Sequence, residues 1–317
     1  MSRYRHQPIE LTGLNTIPIQ ERGGKVQVKH FAKPYEKSAG IRSWLDSLPD
    51  LLAGEDFRAV VKAFIRARQS RKAIIWGLGG HVIKCGLAPV LIDLMKDGYA
   101  TAFAVNGAAA IHDFEIAIAG QTSEDVEAVL PDGRFGTAEE TGREMNDALT
   151  ENETLGFGEA LGLRLQAIAD SRYAPCSLLH AAYQANVPVT VHVAIGTDTP
   201  HTHPAASGPA LGRASHQDFR LLCSLVRDIH DGGVYLNVGS AVVLPEVFLK
   251  AVSVVRNLGH PLADFTTANF DFIQHYRPRT NVVQRPHAGS HGKGYTITGH
   301  HEIMIPLLAA TLIESGA

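Results

Sequence analysis

The 317-residue chain carries 29 basic and 32 acidic side chains and is 45% hydrophobic and 19% charged, proportions of a globular protein that exclude a fibrous or disordered one. The near balance of charge, with no block of like charges, excludes an extended nucleic-acid or anionic-membrane surface. Cys85, Cys176 and Cys223 form no C-x-x-C pair, the N-terminus has no signal-type apolar core, and no run of about eighteen apolar residues occurs, so a cytoplasmic, reducing location is expected.

Residues 1–36 contain Pro8, Pro18 and Pro34 and no motif, which predicts an arm wrapping the body or another subunit. Helical spacing follows over 38–48 and 57–68, the latter with Phe57, Val60, Val61, Phe64 and Ile65 on one side. We expect residues 1–50 to form an arm and helix, and 51–317 a single large α/β domain.

The stretch 73–95, AIIWGLGGHVIKCGLAPVLIDLM, reads as strand, glycine loop and helix. Backbone without Cβ atoms can approach a phosphate closely, and the N-H groups of a helix start point at it, so Gly77, Gly79 and Gly80 are candidate cofactor contacts. The pattern departs from a dinucleotide fingerprint, because Val82 stands where a small residue belongs. Val105 and Asn106 stand where an acid would meet the ribose, about twenty residues on. A tight turn that serves only sheet packing is the competing explanation.

A second strand over 101–105 ends in Asn106, Gly107 and Ala108, and then come Ile111, His112 and Asp113. Strand ends of this kind place ligands in open α/β sheets. His112 and Asp113 are read as orienting a ligand or capping a helix. Residues 121–152 are polar and glycine-rich, with Glu139, Glu140 and Glu144 as surface helix charges, and a helix is predicted over 155–168.

After a helix at 176–183, a strand at 187–194 runs into IGTDTPHTHP, gathering His192, Asp198, His201 and His203. Were a metal bound, His201, His203 and Asp198 would be its ligands, since borderline cations accept both nitrogen and oxygen. Hydrogen bonding to substrate or backbone is the alternative.

The pattern repeats after a helix at 219–229: a strand at 234–238, Gly239 and Ser240 at its end, and a helix after Pro245 whose free N-H groups suit Glu246. A short strand is predicted at 263–267, then a basic, proline-broken segment with Arg277, Arg279 and Arg285. Lys293 lies between glycines, and His300, His301 and Glu302 precede a final helix at 304–313.

These strand ends resemble the deoxyhypusine synthase family. The likeness spans about residues 70–312 and is carried by CGLAPVLIDLMKDGYATAFAVNGAAAIHD, VPVTVHVAIGTD, TTANFDF and HHEIMIPLLAATL. It implies a Rossmann-like, doubly wound, mostly parallel α/β sheet with helices on both faces, NAD as cofactor, and a homotetramer with sites at subunit interfaces. It places Gly107, Ala108 and Asp113 at the nicotinamide dinucleotide and brings in Thr197 and Asp198. Lys293 is the nearest match to the family lysine that accepts an aminobutyl group from spermidine, although His291 stands where the family has tryptophan.

The expected function is therefore an NAD-dependent transferase acting on a polyamine or related small-molecule amine through hydride removal and an imine. Lys293 is the acceptor, His192 or His301 the proton carrier, and Asp198, Asp271 and Glu302 the acids that face the amine. A metal-assisted hydrolase or lyase built on the histidines, or a non-catalytic dinucleotide-binding protein, would keep the same fold.

Overall fold

The computed structural model describes residues 3–316. Six strands form one parallel sheet in the order β3-β2-β1-β4-β5-β6: β1 Ile74–Leu78, β2 Ala102–Asn106, β3 Val189–His192, β4 Val234–Val238, β5 Thr266–Asp271 and β6 Lys293–Thr298. This is the order of doubly wound nucleotide-binding sheets, with the direction of winding reversing between β1 and β4.

Strand alternation divides the sheet between two cores. Ile74, Trp76, Leu78, Phe103, Val105, Val234, Leu236 and Val238 belong to the larger one. It is closed by helices α2 Leu52–Gln69, α4 Ala88–Lys96, α5 Gly107–Ala119, α8 Phe157–Ile168, α9 Leu178–Gln184 and α12 His301–Ser315. On the other face Ile75, Ala102, Ala104 and Tyr235 meet α10 Gly208–Arg227 and α11 Val243–Asn257. Burial on both faces explains why the central strands read as continuous apolar runs. The fold is Rossmann-like α/β.

Residues 3–29 are exposed throughout, and helix α1 Gly40–Ser47 joins the core through Leu45. Arg58 of α2 is buried and holds this entry in place, donating to the carbonyls of Leu45, Leu48 and Pro49 and pairing with Asp50 at 2.5 Å.

The strand predicted at 263–267 instead starts at Thr266, because Asp264 adopts a positive φ of 57° that ends the preceding turn. β6 is absent from the sequence reading, since Gly294 within it and Gly292 and Gly299 beside it conceal the alternation of Tyr295 and Ile297. The helix predicted behind the first glycine loop is two helices, α3 Gly80–Lys84 and α4, separated at Gly86 with φ +75°. That backbone is accessible to glycine at little cost.

Candidate functional site

Parallel strands bring their carboxyl ends to one edge, and two groups of polar side chains stand there on either side of α3. Over β2 and β3 lies a cavity of about 920 Å³, bordered by α5, by the segment 121–141 and by Thr197, Asp198 and Thr199. Ligand cavities typically hold about 300–1,000 Å³. Its ionic lining is four carboxylates, Glu115, Glu124, Glu140 and Asp198, against one lysine, Lys84.

Asp198 reaches the cavity from the loop after β3. Its carboxylate occupies the space that a Cβ on Gly107 would fill, at the first turn of α5. The positive end of that helix favours an anion, while burial pushes the Asp198 carboxyl above its ordinary range. Asn106 accepts from the Ala109 amide at 2.9 Å and so serves as the α5 cap.

His112 forms a chain with two further groups. Thr122 donates its hydroxyl proton to Glu115, and the same oxygen lies 2.7 Å from His112 Nδ1. With its proton so used, the Thr122 oxygen accepts from Nδ1-H, which leaves Nε2 as the basic nitrogen. Burial, aided by the Lys84 charge, pushes His112 down to about 4, so the ring is neutral at physiological pH. Thr141 adds a 3.1 Å bond to the other Glu115 oxygen.

Asp113, the next residue, faces the interior and does not reach the cavity. It accepts from Ser177 Oγ at 2.6 Å, Leu178 N at 2.7 Å and Leu179 N at 2.8 Å, capping α9. Its expected cofactor role is therefore corrected to a structural one. Burial, partly offset by those donors, pushes its carboxyl up to about 6.

The glycines of the first loop are likewise explained by the protein itself. A Cβ on Gly77 would lie 2.5 Å from the Tyr235 hydroxyl, one on Gly79 would run into the Gly239 carbonyl, and one on Gly80 would lie 2.9 Å from the Ala108 methyl. The sheet-packing explanation accounts for all three. Gly239, at φ +66°, is pressed by His301, whose Cε1 is 2.8 Å from a Cβ placed there. Ser240 accepts from the Leu244 amide at 3.2 Å within the first turn of α11.

The second group lies on the β5 side of α3. His301 is buried at the start of α12, 3.3 Å from the Phe270 carbonyl and 3.7 Å from Asp271 Oδ1, with Nδ1 unpartnered among the described residues. Burial lowers its titration, against the opposing pull of Asp271. His81 rings it at 5.6 Å, and Phe272 packs on both. Cys85 Sγ lies 3.3 Å from His81 Nε2 and 3.8 Å from Glu302 Oε2. Burial and the Glu302 charge push the Cys85 thiol up, opposite to what a nucleophilic cysteine needs.

Other expected residues lie apart. His192 is buried at the end of β3, bonded to Thr190 Oγ1 at 2.9 Å beside a second cavity of about 290 Å³, and burial holds it down to about 3. It therefore stays neutral through the physiological range, which corrects the expectation of a proton carrier titrating near pH 7. His201 Nδ1 accepts from the Gly196 amide at 3.1 Å, while His203 bonds Glu139 at 3.1 Å and accepts from Ala205 N. The two histidines and Asp198 do not converge on a common point. Among the described residues the donor atoms that do gather, within 4.8 Å, belong to His81, Cys85 and Glu302.

Lys293 is the first residue of β6, paired with Thr266 at the amino edge of the sheet. At about 3.3 Å per residue the carboxyl edge is roughly 17 Å away along the strand. Lys293 is thus remote from the carboxyl edge of its own chain's sheet.

Lys84, Glu115, Thr122, His81 and Cys85 were not singled out as site residues from the sequence. Glu115 stands three residues after His112, and Cys85 four after His81, the spacings that share a helix face.

No family model and no curated protein matches this sequence. Solved structures do match its fold. The conserved, candidate LOR/SDH protein from Methanococcus maripaludis S2 superposes with a TM-score of 0.53 at 16% identity, over 84% of this chain and 72% of that one. AgrE, solved in a ternary complex with ornithine and NAD+, superposes at 0.54 and 13% identity over 82% of this chain. The chain spans about a third of AgrE, 33% of its length. A candidate deoxyhypusine synthase from Entamoeba histolytica gives 0.49 at 12% identity, over 89% of this chain and 96% of that one. At these identities the likeness concerns the fold.

Proposed function

We propose that this protein is an NAD-dependent enzyme acting on an amine, with the reacting nitrogen held in the acidic cavity over β2 and β3. The observation that carries this reading is the lining itself: four carboxylates facing one lysine at the carboxyl edge of a doubly wound sheet. Such a lining attracts ammonium groups, and Lys84 is its one cationic side chain.

The residues present fit a dinucleotide in size and edge, though not in the usual phosphate cradle, since Gly77, Gly79 and Gly80 are closed by protein atoms. Lys84 would counter a phosphate, and Gly107 and Ala108 offer a surface without bulk. When bound, NAD supplies an acceptor for hydride from the carbon bearing the nitrogen. Asp198 and Glu115 would orient the ammonium group, and His112, neutral and held by Thr122, would offer Nε2 as a hydrogen-bond acceptor to the nitrogen. Support also comes from AgrE, whose fold is shared and which binds ornithine and NAD+.

The finer reading is a deoxyhypusine-synthase-like transfer to Lys293. Within one chain the lysine is at the opposite edge, so this step would need Lys293 of another copy to reach the cavity, as in a tetramer with shared sites. We therefore place amine oxidation first and the transfer second. The metal-assisted alternative through His201 and His203 loses support, because both rings are engaged by local backbone or by Glu139.

The test is incubation of the protein with NAD and a panel of ornithine, putrescine and spermidine. The expected result is NADH absorbance with at least one of them, abolished by His112→Ala. Absence of NADH with every amine, together with no thermal shift on adding NAD, would remove the reading.

A further inference from the structure

On the other side of α3, and independent of the amine reading, we infer that His81, Cys85 and Glu302 form a binding site for a zinc-class divalent cation. The three side chains come from two elements that both begin at the carboxyl edge. His81 lies in α3 and Cys85 closes it four residues later, with the Cys85 amide bonded to the His81 carbonyl at 2.9 Å. Glu302 lies in the first turn of α12 and reaches Cys85 across the gap.

The separations are those of a tetrahedral site. With Zn-N and Zn-O bonds of about 2.1 Å and a Zn-S bond of about 2.3 Å, tetrahedral angles place neighbouring N···S and S···O atoms about 3.6 Å apart. His81 Nε2 to Cys85 Sγ is 3.3 Å, and Cys85 Sγ to Glu302 Oε2 is 3.8 Å. All three donor atoms lie within 4.8 Å of one another, so a small rotation of the exposed Glu302 side chain completes the set.

A nitrogen, sulfur and oxygen set suits borderline cations such as Zn2+ and Co2+ and disfavours Mg2+ or Ca2+, which take oxygen ligands. Three protein ligands leave one position open. The buried His301, with Nδ1 unpartnered among the described residues, lies with its ring 5.6 Å from that of His81. Binding replaces the thiol proton, which is released to solvent, and leaves the sulfur as thiolate.

Co2+ is the probe that reads the sulfur directly. Titrating the full chain with Co2+ is expected to give one equivalent bound per chain, with a near-ultraviolet thiolate-to-cobalt band that added Zn2+ removes. Cys85→Ser should abolish the band, whereas Cys176→Ser should keep it. Loss of an outer partner of a metal ligand costs about 10–100-fold in affinity, so His81→Ala and Glu302→Gln should each weaken binding by roughly that much or more. Circular dichroism confirms that each variant folds, and Glu302→Gln, on an exposed side chain, covers the case in which Cys85→Ser does not. No band in the wild type at saturating Co2+, a band that persists in Cys85→Ser, or unchanged affinity in both His81→Ala and Glu302→Gln would overturn the assignment.

Discussion

The Asp198 carboxylate stands in the space that a Cβ on Gly107 would occupy, so the loop after β3 and the start of α5 are fitted to each other through the absence of one methyl group. Gly107→Ala would push the Asp198 carboxylate out of that space. Overpacking of this kind costs about 1–3 kcal/mol, and displacing Asp198 should also weaken amine binding. Gly107→Ala with Asp198→Ala should recover most of the stability but not the binding. Thermal denaturation and calorimetric titration of the single and double variants measure both terms, and simple additivity of stability would argue against the contact.

Asp218 of α10 gives the fold a pH dependence. Its Oδ2 accepts from Gly158 N at 2.9 Å and Val191 N at 2.6 Å, and burial pushes its carboxyl up to about 7. A carboxyl with a folded pKa above its unfolded value of about 4 binds more protons when folded. Its contribution is therefore fully present below about pH 4 and is lost as pH rises towards 7. Asp218→Asn keeps an acceptor and removes the titration. The unfolding free energy of the variant, from denaturant titration, should gain on the wild type between pH 4 and 7 by an amount of order a few kcal/mol, then run parallel; a constant offset throughout would contradict the assignment.

Lys84 is expected to act on two observables at once. Its charge helps hold His112 low, so Lys84→Gln should move the His112 titration upward toward the ordinary imidazole range, followed by proton NMR. The same change should weaken NAD binding roughly tenfold, about 1.4 kcal/mol, and flatten its dependence on salt. Unaltered NAD affinity would place the phosphates elsewhere.

Lys293→Ala separates oxidation from transfer. With Lys293 at the amino edge, NADH production from the amine should stay within about twofold of wild type, well below the tenfold that 1.4 kcal/mol represents. A loss of oxidation itself would mean that Lys293 of another copy enters the cavity.

The fold was legible because central parallel strands are apolar on both faces and end in small residues. β1, β2 and β4 show this plainly, and Val234–Val238 was read to the residue. β6 was hidden because an edge strand such as GYTIT, half-exposed and flanked by glycine, lacks that run. The site was legible by edge but not by side chain. NGAAAIHD does border the cavity, yet nothing in the sequence separates His112, which faces it, from Asp113, which turns inward to cap α9. Glycine was the least informative residue, since a loop cleared for phosphate and one cleared for Tyr235 and Gly239 look alike in sequence.

The break at Gly86 leaves α3 as a five-residue helix. So short a helix does not persist by itself in water; its shape is imposed by Ala108 beneath Gly80 and by the strand it leaves. Amides of residues 81–84 should accordingly exchange with solvent through local opening more readily than those of the strands. Because this single turn bears both Lys84 and His81, it is a hinge-like reporter: slowed exchange there would register occupancy on either side of it.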